Sequence, residues 1–368
     1  MTEQQTKGSG MSTHVVSNVK VSRDEKLWEV EISAEIPAEG LAHYRDETLN
    51  DIRKNAKLDG FRPGKAPIER IVQIYGEDVI ARQSSERAIQ HELPEMFAKE
   101  NLMIIETPKV TIDMPKAGKS TAFTARAALA PKIELADYKA IAAQNPPTGG
   151  PEVEVSDTEH QEAMTHMKRE RARIDKIEAG TEPQKAAEES RTLEEKDLPA
   201  LDDEFVQALG YENVEKFSGV LRTNIQNEKE IRAREKRRAA ILEDLVKNSK
   251  VFYPAMLRDY ELDDMEARLK DDVERSGGSW EGYLAEVKKT REEIRASWHD
   301  AADKRAKVRL ILGEIARKEK IEPDEKALAH ELEHARKQYP QADPSALRAH
   351  IAHAMRNDAT LKFLESIS

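Results

Sequence analysis

Gly60-Phe61-Arg62-Pro63-Gly64-Lys65-Ala66-Pro67, followed by Ile68 to Gly76 (IERIVQIYG), separates two amphipathic helical patterns. Upstream, Leu41, Tyr44, Thr48, Leu49 and Ile52 recur at helical spacing; downstream, Ile68, Ile71, Val72 and Tyr75 do the same. Gly60 suits the end of the first helix and Pro67 the first turn of the second. The run therefore reads as a tight turn at the tip of a helical hairpin, where side chains can reach another molecule. Between Arg53 and Lys65, five cations (Arg53, Lys54, Lys57, Arg62, Lys65) stand against one acid, Asp59, on a chain whose net charge is -11. An acidic protein does not bind nucleic acid by bulk charge, but a locally basic tip can dock on a phosphate-rich surface.

Outward from the hairpin, the flanks read as strands. His14 to Val21 is one expected strand. Trp28, Val30, Ile32, Ala34 and Ile36 alternate with Glu29, Glu31, Ser33 and Glu35, the pattern of a half-buried strand. Lys109–Met114 and Ser120–Leu129 suit a closing hairpin, and Pro94 marks a break or kink in the second helical arm. Strands, helices, strands in that order favour a helix layer on an antiparallel sheet, an α+β unit over residues 11–130.

The run GFRPGKAPIERIVQIYGEDVI resembles the ribosome-docking loop and following helix of the bacterial trigger factor family, which reads GFR-x-GK-x-P before a helix that ends near a Tyr-Gly pair. The resemblance implies an α+β N-terminal domain, an antiparallel sheet with a helical hairpin, followed by an extended all-α C-terminal domain with arms. It implies that Phe61, Arg62 and Pro63 contact a ribosomal protein at the tunnel exit, with Gly64 shaping the loop. Electrostatics adds Lys65 and Arg53 as expected partners of ribosomal RNA phosphate. Pro63 stands where many relatives have a lysine, which lowers the tip's charge slightly. Further implied partners are unfolded nascent polypeptides, with no membrane, and a homodimer off the ribosome is left open.

Residues 131–155 read as a linker, because Asn145-Pro-Pro-Thr-Gly-Gly-Pro151 cannot continue a helix or a central strand. Ser156 with Glu159 forms a capping box that opens a helix. Residues 175–197 hold only Ile177 and Leu193 as large apolar residues, so they read as a mobile polar loop where the family carries its peptidyl-prolyl isomerase domain. A separate domain needs upwards of about 40–50 residues to bury a core. From Leu198 the chain reads as almost wholly helical. Leu201, Phe205 and Leu209 share one face. A long helix runs over Val214–Asn248 with a charged, solvent-facing middle, Glu228–Arg238. Further helices open at Pro254, at the Thr290/Glu293 capping box (running through Trp298 to Ile315), at Pro323 and at Pro344. Residues 156–368 are thus expected as one helical body.

Composition narrows the function. Charged residues are 35% of the chain and aromatics 5%, and mean hydropathy is -0.73, values that suit a solvated, helix-rich protein with thin cores. The absence of cysteine excludes disulfides, thiol catalysis and thiolate metal sites. MTEQQTKGSGMSTHVV lacks an apolar signal core and no apolar run reaches about 18 residues, so a cytoplasmic location is expected. There is no G-x-x-x-x-G-K-[ST], G-x-G-x-x-G or G-x-S-x-G motif, and Ser84 and Ser85 have no base in view. Neither a cofactor nor catalysis is expected. His330-Glu331-Leu332-Glu333-His334 matches the zinc-peptidase pattern H-E-x-x-H, but Leu328, Leu332, Ala335 and Tyr339 form the expected buried stripe and turn the histidines to solvent. No metal site is assigned. Met164, Met167, Met256 and Met265 read singly as core filler, although methionine also suits promiscuous apolar surfaces. The expected function is an ATP-independent chaperone that holds nascent chains at the tunnel exit and assists folding and export. The alternatives are a ribosome-independent holdase or assembly chaperone, and a zinc hydrolase acting through the HELEH segment.

Overall fold

A computed structural model describes residues 16–367 except 57, 59, 60, 63, 117 and 147–152. Strands β1 (Ser17–Asp24) and β2 (Glu29–Ile36) are followed by helices α1 (Ala38–Asn55), α2 (Ile68–Tyr75) and α3 (Glu77–Lys99), then β3 (Lys109–Ile112) and β4 (Thr121–Ala128). The sheet is antiparallel in the order β1-β2-β4-β3. Pairing of Val30 with Ala127, Ile32 with Ala125 and Ala34 with Phe123 puts the apolar set of both central strands on one face. There it packs with Tyr44, Ile89, Leu93, Met96 and Phe97 from α1 and α3. The expected helix layer on a sheet is what the chain builds.

Three local expectations need correction. The first strand starts at Ser17 and runs on to Asp24; His14 and Val15 lie outside the described residues. Helix α1 stops at Asn55 rather than at Gly60, so the connection at the hairpin tip is longer than a tight turn. Pro94 does not break α3, which continues to Lys99; the break falls at Gly76, whose φ of +82° separates α2 from α3.

Next come β5 (Lys132–Glu134), α4 (Tyr138–Gln144), α5 (Asp157–Glu178), α6 (Pro183–Thr192), α7 (Asp203–Ala208) and α8 (Val214–Asn248). The capping box at Ser156 and Glu159 is formed. The expected polar loop at 175–197 is instead the end of α5, a turn at Gly180 and α6, which lies against α5. Helix α6 buries Ala186 and Ser190, and Glu189 accepts from Lys176 Nζ at 2.5 Å. Small side chains seal this contact, so no large apolar stripe announces it. Likewise the expected linker 131–155 contains β5 and α4, since Asp137 caps α4 by accepting from Ala140 N at 3.0 Å. In α7 the buried side chain is Val206, while Leu209 is exposed.

The chain ends with β6 (Lys250–Phe252), α9 (Ala255–Arg275), α10 (Trp280–Val287), α11 (Arg291–Ser297), α12 (His299–Glu319), α13 (Glu325–Gln338) and α14 (Pro344–Ser366). Strand β6 pairs with β5, and Trp28 stacks on Phe252 with ring centroids 5.0 Å apart. Thr290 and Glu293 form their capping box, but the helix they open ends at Ser297 and α12 starts afresh at His299. Contacts divide the chain into two units: residues up to Glu134 with Lys250–Leu310, and Leu135–Ser249 with Ile311–Ser368.

Candidate functional site

The connection from α1 to α2 is pinned at both ends. Ala56 N donates to Ile52 O at 2.7 Å as α1 closes, and Gly64 N donates back to Arg53 O at 2.9 Å. Lys65 N donates to Arg62 O at 3.0 Å, closing a turn in which Gly64 holds φ +80°. Glycine takes that positive φ without a steric penalty. Below it, Ala66 is buried with Leu49, Ile71 and Ile80, and Leu58 and Ile52 pack against them.

What this base presents outward is Phe61, 39% exposed, with Arg62 and Lys65, both exposed and without an ion pair among the described residues. Exposed Lys54, counted from sequence among the tip's cations, and Ile68, expected in the apolar stripe of α2 but exposed, flank the tip from α1's last turn and α2's first residue. Arg53 stands apart. It is half-buried, its Nη2 donates to Asn50 Oδ1 at 2.8 Å within its own helix, and its carbonyl anchors Gly64. Pro63, Gly60, Lys57 and Asp59 lie outside the described residues.

The other candidates resolve as structural features. Ser84 and Ser85 are buried and donate to Ile80 O and Ala81 O one turn back. The His330 side chain is 80% exposed while Leu328 and Leu332 are buried, and Tyr339, expected in that stripe, is exposed. No group of three or more metal-ligating side chains gathers among the described residues. Met164, Met167, Met256 and Met265 are all half-buried rather than core. The charged middle of α8 is not wholly solvent-facing, because Arg237 is buried. No described helix is long and apolar enough to cross a membrane.

Two family models match the chain, that for bacterial trigger factor protein over residues 17–167 and that for the trigger factor C-terminus over residues 213–363. The intervening residues 168–212 fold as the end of α5, α6, α7 and their connections, and the family's isomerase domain is absent. The trigger factor of Caldicellulosiruptor bescii is 24% identical over 391 aligned positions that take in 87% of each chain. That of Clostridium botulinum (strain Kyoto, type A2) is 22% identical over 415 positions, covering 92% of this chain and 94% of its own. Both alignments exceed the 368 residues here, so these relatives carry residues that this chain lacks. A solved structure described as "Promiscuous Substrate Recognition in Folding and Assembly Activities of the Trigger Factor Chaperone" superposes with a TM-score of 0.51 at 14% identity, over 96% of this chain and all of that one, and shows the shared fold. Matched in both its sheet-bearing start and its helical remainder, the chain belongs to the bacterial trigger factor family of chaperones.

Proposed function

We propose that this protein is an ATP-independent chaperone of the cytosol that docks on the ribosome through the α1–α2 loop and holds polypeptides as they emerge. The observation that carries the reading is the tip itself: Phe61, Arg62 and Lys65 project from a loop whose base is already fixed by Gly64, Arg53 O and buried Ala66. A base already fixed in this way leaves less of the chain to order on docking, which favours a small contact. Phe61 supplies the apolar anchor toward a ribosomal protein, with Arg62 and Pro63 beside it. Lys65 and Lys54 face RNA phosphate. Arg53 acts mainly through its carbonyl, holding the loop, because its side chain is engaged within α1.

Docking raises the local concentration of the body around an emerging chain, so weak contacts suffice and no nucleotide is needed. Surfaces suited to brief apolar contact exist on α9 and α10. Tyr260 and Val287 are exposed, Trp280 and Tyr283 stack at 5.8 Å between centroids while half-buried, and Met256 and Met265 are half-exposed, adaptable side chains. The test is co-sedimentation with ribosomes, comparing the intact chain with the combined variant Phe61→Ala, Arg62→Ala, Pro63→Ala. The expected result is at least tenfold weaker pelleting with unchanged suppression of client aggregation. Equal pelleting would overturn the docking site, and no pelleting of the intact chain would favour a ribosome-independent holdase.

A further inference from the structure

Trp28 holds φ +54° at the end of the β1–β2 hairpin loop, a left-handed conformation that a bulky residue rarely takes and glycine takes freely. The loop has its own support, since Asp24 Oδ1 accepts from Lys26 N at 2.8 Å and from Leu27 N at 3.0 Å. Neither bond needs an indole. The reason for tryptophan lies in what its ring reaches. Half-buried against the core of the sheet, the indole donates from Nε1 to Ala130 O at 2.8 Å. It also stacks on Phe252, with centroids 5.0 Å apart and planes 23° from parallel.

Both partners stand at a junction. Ala130 lies two residues before β5, and Phe252 is the last residue of β6, the strand that pairs with β5. That ladder is three residues long on each side, with half-buried Ile133 opposite half-buried Val251. Its ion pairs, Glu134 with Lys132 at 3.0 Å and with Lys250 at 3.5 Å, join exposed side chains and contribute little. A two-stranded ladder this short is marginal by itself. The Trp28–Phe252 stack ties it to the four-stranded sheet. Beyond Phe252, Tyr253 donates its hydroxyl to Asp303 Oδ1 on α12, and α9 opens at Ala255. Contacts therefore run without a break from the sheet through Trp28, Phe252 and Tyr253 to α9 and α12.

We propose that Trp28 is the joint that fixes the sheet-bearing domain to the α9–α12 segment. It is a positioning residue: it sets where the client-facing sides of α9 and α10 stand once the α1–α2 loop has docked. A tethered surface gains effective concentration only where its geometry lets both contacts form together. A loose joint spreads that surface over many directions, whereas the stack confines it to one. This role rests on the docking reading, but the joint itself does not.

The chain has no cysteine, so a spin-label pair placed at Ser22→Cys and Asp259→Cys reads the joint directly in the full-length protein. The wild-type background should give one narrow distance distribution. Trp28→Gly, which suits the loop's backbone and removes the stack, should broaden it at least twofold. Phe252→Ala, which leaves the hairpin untouched, should do the same, and the two together should be no worse than either alone. Trp28→Phe keeps a ring on Phe252 and should stay near the wild-type width. On stalled ribosomes carrying an unfolded nascent chain, Trp28→Gly should lower crosslinking to that chain at least threefold. Ribosome pelleting, and binding of reduced α-lactalbumin away from the ribosome, should stay unchanged. A glycine variant as narrow as wild type, or a phenylalanine variant as broad as glycine, would overturn the joint. Broadening without loss of nascent-chain crosslinking would overturn the positioning role. The distance measurement needs no ribosome, so it decides the joint even where docking itself fails.

Discussion

Gly64 holds a φ of +80° with no neighbouring atom within 4 Å of where a Cβ would stand, so only backbone strain opposes substitution. Placing a β-carbon in that conformation costs about 1 kcal/mol, which the loop can relieve by leaving its present shape. Gly64→Ala is therefore expected to weaken ribosome co-sedimentation about fivefold, with little change in the melting temperature of the whole chain; unchanged binding would mean the turn's shape does not matter. Phe61, Arg62 and Lys65 were legible as an exposed tip from local chemistry alone, because turn residues and helical periodicity act over a few positions. Arg53 was not. Counting charges treats every cation as free, whereas its half-burial and its bond to Asn50 depend on how α1 packs.

Helices α9, α11 and α12 meet through ions as much as through apolar groups. Glu266 is 4% exposed and takes hydrogen bonds from Arg291 Nε at 2.7 Å and Arg295 Nη1 at 2.8 Å, while Lys270 Nζ lies 2.8 Å away. Glu261, 6% exposed, accepts from Arg305 Nε at 3.2 Å and Arg309 Nη1 at 2.9 Å. Burial alone would raise the Glu266 carboxyl, but bonds from Arg291, Lys270 and Arg295 outweigh it and pull the pKa down to about 2. A pKa held below the ordinary 4.5 means that the folded form favours the carboxylate. Its contribution, on the order of 3 kcal/mol, is then present above about pH 4.5 and lost as pH falls toward 2. Glu266→Gln should therefore destabilise α9 and α11 at pH 7 by roughly 2–3 kcal/mol, and that deficit should shrink between pH 4.5 and 2.5, as read by urea unfolding. A constant deficit would mean that packing, not charge, is lost. No sequence pattern signals such a seam, since Glu261 and Glu266 read as two more acids on a solvated helix. The α6 hairpin was hidden for a related reason: Ala186 and Ser190 close it without a large apolar residue.

For the molecule as a whole, the missing domain has a direct consequence. Residues 168–212 form short helices around small buried side chains, and we predict no acceleration of prolyl isomerisation in a short peptide; a clear enhancement would mean catalysis resides elsewhere in the chain. Local sequence was enough to define the alternation of β2, the span of α8 and the caps at Ser156 and Thr290, because periodicity and capping operate within one element. It was also enough to mark the tip at 60–67, where turn chemistry and charge coincide. Only the tertiary structure decided that the chain divides at Glu134 and Ser249 rather than along the Pro-Gly stretch, and that Arg237 is buried. Those outcomes turn on strands and helix ends more than a hundred residues apart being brought together. Pairing of β5 with β6 and the bonds from Arg237 to Glu365 and Ile367 satisfy backbone groups across that separation, which no local pattern can record.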